Sequence, residues 1–148
     1  LNPYFTTIHL SGGDNMQEIA VLNKKNIKIL GVSILTSIDK EQAKKYYNSD
    51  NLNNLVKNFV NYAAKNKLDG VVCSPHEINI VKKLSLNDMI IVTPGIRPEN
   101  YKETDDQKRF MTPKQAIKLG ADYLVIGRPI TKSPDPLNEI ININSSIE

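Results

Sequence analysis

Short apolar, β-prone runs recur along the chain, each closed by polar or Gly/Pro residues, and amphipathic segments separate them. The first run is Phe5-Thr6-Thr7-Ile8-His9-Leu10, closed by Ser11-Gly12-Gly13, after which Asp14 is placed to cap a helix over Asn15 to Asn23. The second, Ile27 to Leu35, is nearly continuous in apolar character, as a strand buried on both faces of a parallel sheet requires, and Gly31 inside it marks a close approach. A polar stretch from Thr36 to Asp50 follows. Leu52, Leu55, Val56, Phe59, Val60 and Ala63 then fall at helical spacing on one face. Gly70 to Ser74 predicts a third strand, stopped by Pro75, with a helix over Glu77 to Leu84 behind it. Met89 to Thr93 predicts a fourth, broken by Pro94-Gly95. Beyond a polar loop from Glu99 to Phe110, Thr112 as N-cap and Pro113 at the first helical position start a helix that Gly120 ends. Tyr123 to Ile126 predicts the fifth strand, closed by Gly127-Arg128-Pro129, and Asp135-Pro136 begins a last helix.

Strands alternating with helices demand parallel pairing, so the predicted class is α/β. At about 30 residues per βα unit, a (βα)8 barrel needs roughly 250 residues. The 148 residues here supply five units and begin at a strand, which predicts a partial barrel; an open flavodoxin-like sheet is the alternative that needs no further units. The length suits one domain over residues 1–148. Apolar residues at 40% and charged residues at 24% predict a packed core. Nineteen basic against 16 acidic residues leave a net charge of +3, too weak a field for a nucleic-acid-coating role. Cys73 has no second cysteine to pair with, and no apolar run approaches the roughly 18 residues that span a bilayer. These features predict a cytoplasmic protein without a membrane partner. The chain opens on Leu1 rather than Met and shows no signal-peptide core, which reads as a trimmed or partial product.

Ligands of barrels and open α/β sheets bind beyond the carboxyl ends of the strands. Two of those ends carry arginine. Arg97 and Arg128 are 31 residues apart, about one βα unit, so they are expected at one rim on neighbouring strands. A guanidinium offers a planar fork suited to phosphate oxygens, and Gly95 and Gly127 let backbone N–H groups approach an anion. Together they read as a phosphate cradle, whereas either arginine alone reads as a solvated loop residue. Gln107, in the polar loop, can both donate and accept and so bridge a phosphate and a ring carbonyl. Thr36 and Ser37 offer hydroxyls at a strand end. His9, within an apolar strand, reads as a core residue rather than a base, and His76 as a helix-start residue. Two histidines and one cysteine give no metal-ligand spacing, and no nucleophile elbow, P-loop or dinucleotide fingerprint occurs. An acid, base or nucleophile is not evident.

The strand-end strings form a recognisable set. Ile8-His9-Leu10-Ser11-Gly12-Gly13, Leu35-Thr36-Ser37, Asp69-Gly70-Val71-Val72-Cys73-Ser74, Thr93-Pro94-Gly95-Ile96-Arg97-Pro98, Met111-Thr112-Pro113 and Ile126-Gly127-Arg128-Pro129 resemble, in order and spacing, the bacterial orotidine 5'-phosphate decarboxylases. The resemblance runs from about Tyr4 to the last helix. It implies a (βα)8 barrel, a carbon–carbon lyase that converts orotidine 5'-monophosphate to uridine 5'-monophosphate and CO2 with neither metal nor organic cofactor, and a homodimer. By matching motif it implies that Arg97, Gln107, Gly127 and Arg128 hold the 5'-phosphate, with Gln107 also near the pyrimidine, and that Thr36 lies at the pyrimidine pocket. The family's catalytic lysine and aspartates sit on an Asp-x-Lys-x-x-Asp string, which occurs nowhere in these 148 residues. The sequence therefore predicts the nucleotide-binding part of such an enzyme, with no catalytic residue of its own; the alternative is a non-catalytic nucleotide- or phosphate-binding remnant of that family.

Overall fold

A computed structural model describes residues 2–84, 89–99, 101 and 110–148. Five strands, β1 (Phe5–His9), β2 (Lys28–Val32), β3 (Gly70–Val72), β4 (Ile90–Thr93) and β5 (Tyr123–Leu124), form one sheet in the order β1-β2-β3-β4-β5. Every pairing is parallel. Helices fill the connections: α1 (Asp14–Asn23), α2 (Lys40–Tyr47), α3 (Leu52–Lys65), α4 (Ile78–Leu84), α5 (Pro113–Leu119), α6 (Arg128–Thr131) and α7 (Pro136–Ile147). Strictly sequential order overturns the flavodoxin-like alternative, whose sheet reverses direction at a switch point and carries helices on both faces.

The core is correspondingly one-sided. Ile29, Val71 and Ile91 from the strands meet Val56, Val60 and Ala63 of α3, Ile78 and Val81 of α4, and Ala116 of α5. The i, i+4 and i+7 spacing on α3 puts its three buried residues in one stripe, as the sequence pattern predicted. Residues that alternate with these strand positions face the other way. His9, Val32, Val72, Val92 and Tyr123 form one in-register row across the second face. That face is concave: the rings of Phe5 in β1 and Tyr123 in β5 meet edge to face, with centroids 5.0 Å apart. In a flat sheet those strands would stand about 19 Å apart, so the sheet curls as a barrel wall does.

Two aspartates start strands by the same device. Asp69, just before β3, donates its N–H to the Ile29 carbonyl at 3.0 Å while its carboxylate accepts the Ile29 N–H at 2.8 Å. Asp122, just before β5, does the same to Ile91, at 2.9 and 2.8 Å. Asp69 also pairs with Lys24 at 2.7 Å. Burial opposes ionisation of Asp69, yet the Lys24 ammonium and the Ile29 N–H outweigh it and hold the carboxyl below the usual carboxylate range. A buried amide network ties α1 to the end of α3: the Gln17 amide donates to the Leu10 carbonyl and the Asn66 amide donates to both Gln17 and Asp14.

Several expected elements shift. Asp14 does not cap α1; Gly13, at φ +84°, occupies that position, and the Asp14 carboxylate instead accepts from Asn66 and Lys65. The Asn66 amide and the Lys65 ammonium hold that carboxyl below its ordinary range. The polar stretch after β2 contains α2, capped by Asp39, whose carboxylate accepts the Gln42 N–H at 3.0 Å. Thr112 and Asp135 cap α5 and α7 as expected, and Gly120 ends α5 at φ +107°. Among the described residues no helix is long and apolar enough to cross a membrane.

Candidate functional site at the carboxyl ends of the strands

The register of β4 and β5 decides where the two arginines stand. Thr93 pairs with Leu124, an offset of 31 residues, and Arg97 and Arg128 each lie four residues beyond that pair. They leave adjacent parallel strands at one level of the sheet. Gly127, exposed, precedes α6, and Arg128 is its half-buried first residue, where a loop was expected. Thr36 lies in the turn after β2 and is buried. Gln107 lies outside the described residues.

Arg97 is held more firmly than a rim residue needs to be. It is 8% exposed. Its Nη1 donates to the Ile96 carbonyl at 2.8 Å and its guanidinium lies over the Tyr101 ring at 5.5 Å. The backbone around it is fixed by a parallel bridge between Ile96 and Met111, in which Arg97 N donates to the Met111 carbonyl at 3.0 Å and Met111 N to the Gly95 carbonyl at 3.2 Å. The polar loop that carries Gln107 thus departs and returns beside Arg97. Gly95, at φ +75°, makes the turn that this bridge requires.

Toward the middle of the sheet, Ser74 lies two residues beyond β3 and Thr93 ends β4, and both hydroxyls are buried with no hydrogen-bond partner among the described residues. The Ser74 N–H donates to the Glu77 carboxylate at 3.1 Å, fixing the chain as it turns into α4. His9, expected in the core, is exposed at the end of β1, because Ile8 takes the core-facing position and the alternation of the strand turns His9 to the concave face. No group of His, Cys, Asp and Glu among the described residues is arranged to hold a metal ion. Sequence reasoning missed Tyr101 as part of the site; its i, i+4 spacing from Arg97 was the one available signal.

A guanidinium beyond each of two paired strands, with a glycine nearby, suits an anion with several oxygens. The chain is 42% identical over 158 residues to the orotidine 5'-phosphate decarboxylase of Dictyoglomus turgidum, covering all of this chain and 64% of that protein. It is 47% identical over 137 residues to the enzyme of the same name from Aquifex aeolicus, covering 90% of this chain and 58% of that one. The crystal structure of orotidine 5'-phosphate decarboxylase from Lactobacillus acidophilus superposes with a TM-score of 0.81 at 31% identity, over 97% of this chain and 63% of that one. The chain therefore spans somewhat less than two thirds of the length of these relatives. Because a sequence model of that family matches residues 4–143, nearly the whole fold described above, the chain belongs to the orotidine 5'-phosphate decarboxylase / HUMPS family.

Proposed function

We propose that this chain is the phosphate- and nucleotide-binding part of an orotidine 5'-phosphate decarboxylase that converts orotidine 5'-monophosphate to uridine 5'-monophosphate and CO2. The observation that carries the reading is the 31-residue register of β4 and β5: Arg97 and Arg128 each follow four residues after the paired Thr93 and Leu124. In this reading both guanidinium groups and the Gly127 backbone bind the 5'-phosphate, Gln107 reaches the phosphate and the pyrimidine, and Thr36 borders the pyrimidine pocket. The working protein is a cytoplasmic homodimer that needs neither metal nor organic cofactor, and residues 1–148 act as one domain.

Breaking the bond between C6 and the carboxyl carbon leaves an electron pair on C6. A positioned ammonium must stabilise that pair and then protonate it, and carboxylates must hold the ammonium in place. Binding the phosphate positions the substrate without supplying that proton. No Asp-x-Lys-x-x-Asp string is present in this sequence to do so. The test follows loss of orotidine 5'-monophosphate absorbance, first with the chain alone and then with a separately expressed barrel segment that carries the string. Turnover is expected only in the mixture. Turnover by the chain alone overturns the division of labour. Arg128→Ala removes a charged hydrogen-bonding group worth about 1.5–3 kcal/mol, so uridine 5'-monophosphate affinity in the mixture is expected to fall roughly ten- to a hundredfold. Unchanged affinity by calorimetry rules out the phosphate assignment.

A further inference from the structure

Arg97 and Tyr101 form a unit. The guanidinium carbon lies 5.5 Å from the ring centroid, and Nη1 is tied to the Ile96 carbonyl at 2.8 Å. Both backbones are pinned as well. Arg97 N donates to the Met111 carbonyl at 3.0 Å, and Tyr101 N donates to the Pro98 carbonyl at 3.1 Å, which closes a turn and brings the ring back over the arginine. An aromatic face against the guanidinium attracts it through the ring quadrupole and leaves hydrogen bonding to its edge, in the plane of the fork.

We propose that Tyr101 is a positioning residue for anion binding: its ring fixes the plane of the Arg97 guanidinium so that the edge is presented to a phosphate monoester. The inference rests on Arg97 being a phosphate-binding residue, as argued above. Its physical basis is preorganisation. A long, rotamer-rich side chain loses freedom when it clamps an anion, and a shelf that removes this freedom in the unliganded protein lifts the loss out of the binding step. It also fixes orientation, which a bidentate contact to two phosphate oxygens depends on. A tyrosine that merely covers the arginine stem by local packing would contribute to folding and leave anion affinity alone.

The experiment titrates inorganic phosphate at neutral pH into the 148-residue chain mixed with the separately expressed barrel segment, and follows amide and arginine Nε resonances of the chain. Parent, Arg97→Ala, Tyr101→Ala, Tyr101→Leu and Tyr101→Phe are compared. Tyr101→Ala and Tyr101→Leu are expected to weaken phosphate binding about three- to tenfold, and Tyr101→Phe, which keeps the ring face, is expected to bind as the parent does. In an Arg97→Ala background, Tyr101→Ala should change nothing further. If Arg97→Ala weakens binding while Tyr101→Ala and Tyr101→Leu match the parent, the positioning role is overturned and the phosphate reading stands. If Leu substitutes as well as Phe, bulk rather than the ring face acts and the proposal fails. If the parent binds no phosphate, or Arg97→Ala and Arg128→Ala leave affinity unchanged, the underlying reading fails and the proposal with it. Should Tyr101→Ala not fold, the Leu and Phe pair decides the question.

Discussion

The two strand-initiating aspartates offer an internally controlled measurement. Asp69 and Asp122 accept the N–H of Ile29 and Ile91 at the same 2.8 Å, but Asp69 also holds Lys24, with both carboxylate oxygens 2.7 Å from Nζ. Replacing either by Ala strands a backbone donor in the sheet, at about 1–3 kcal/mol. Asp69→Ala additionally removes a part-buried ion pair whose side chains are 26% and 19% exposed, placing its worth near the upper end of surface pairs, about 1 kcal/mol. The expected losses are therefore about 2–4 kcal/mol for Asp69→Ala and about 1–3 kcal/mol for Asp122→Ala, read from urea unfolding at constant m-value. Because the Asp69 carboxyl lies lower in the folded chain than in the unfolded one, its contribution is complete above the unfolded pKa near 3.9 and is lost as pH falls through the folded value. The gap between parent and Asp69→Ala should stay constant from pH 7 to 5 and narrow only below about pH 4. A gap that closes between pH 7 and 5, or a Lys24→Met/Asp69→Ala double-mutant cycle with no coupling, refutes the reasoning.

Gly70→Ala should prevent the native sheet from forming, because a Cβ there collides with the Ile90 carbonyl oxygen, a backbone atom that no rotamer change can move; circular dichroism checks it. Gln17→Ala should destabilise by about 1–3 kcal/mol, since it removes two buried side-chain hydrogen bonds, one to the Leu10 carbonyl and one from the Asn66 amide, and thermal unfolding reads the loss. The chain alone should associate with rising concentration in light scattering, because the outer edges of β1 and β5 carry no strand partner among the described residues, and Leu22 and Leu137 stand 83% and 70% exposed on the helices behind them. A concentration-independent monomer that melts in one cooperative transition contradicts that expectation.

The parts of this fold legible in the sequence are those where local chemistry and tertiary burial agree. The strands are apolar runs between Gly and Pro, the α3 stripe is set by spacing, and Thr112, Asp135 and Gly120 mark ends that need nothing beyond their neighbours. The spacing of Arg97 and Arg128 was readable because it equals the 31-residue offset at which β4 pairs with β5. What escaped depended on partners distant in sequence or on backbone geometry. α2 buries Ala43 alone among its residues, so its pattern carries almost no periodic signal. Asp14 has the chemistry of a cap, but Gly13 takes the cap at positive φ and Asn66 and Lys65, some fifty residues away, claim the carboxylate. His9 sits among apolar neighbours yet faces away from the helices, on the concave side, because which face of a strand is covered is decided by helices elsewhere. The stack of Tyr101 on Arg97 needs the turn at Pro98, which composition does not announce.

The bridge between Ile96 and Met111 separates two evolutionary and engineering problems. Since Arg97 N and Met111 N fasten the feet of the loop to each other, sequence inserted between those feet works against an already closed ring. Doubling the length of such a loop costs only about 0.6 kcal/mol in closure entropy. Residues between those feet can thus be exchanged, lengthened or grafted without resetting the arginine beside them. One short ladder keeps Arg97 in place while the sequence beyond it drifts.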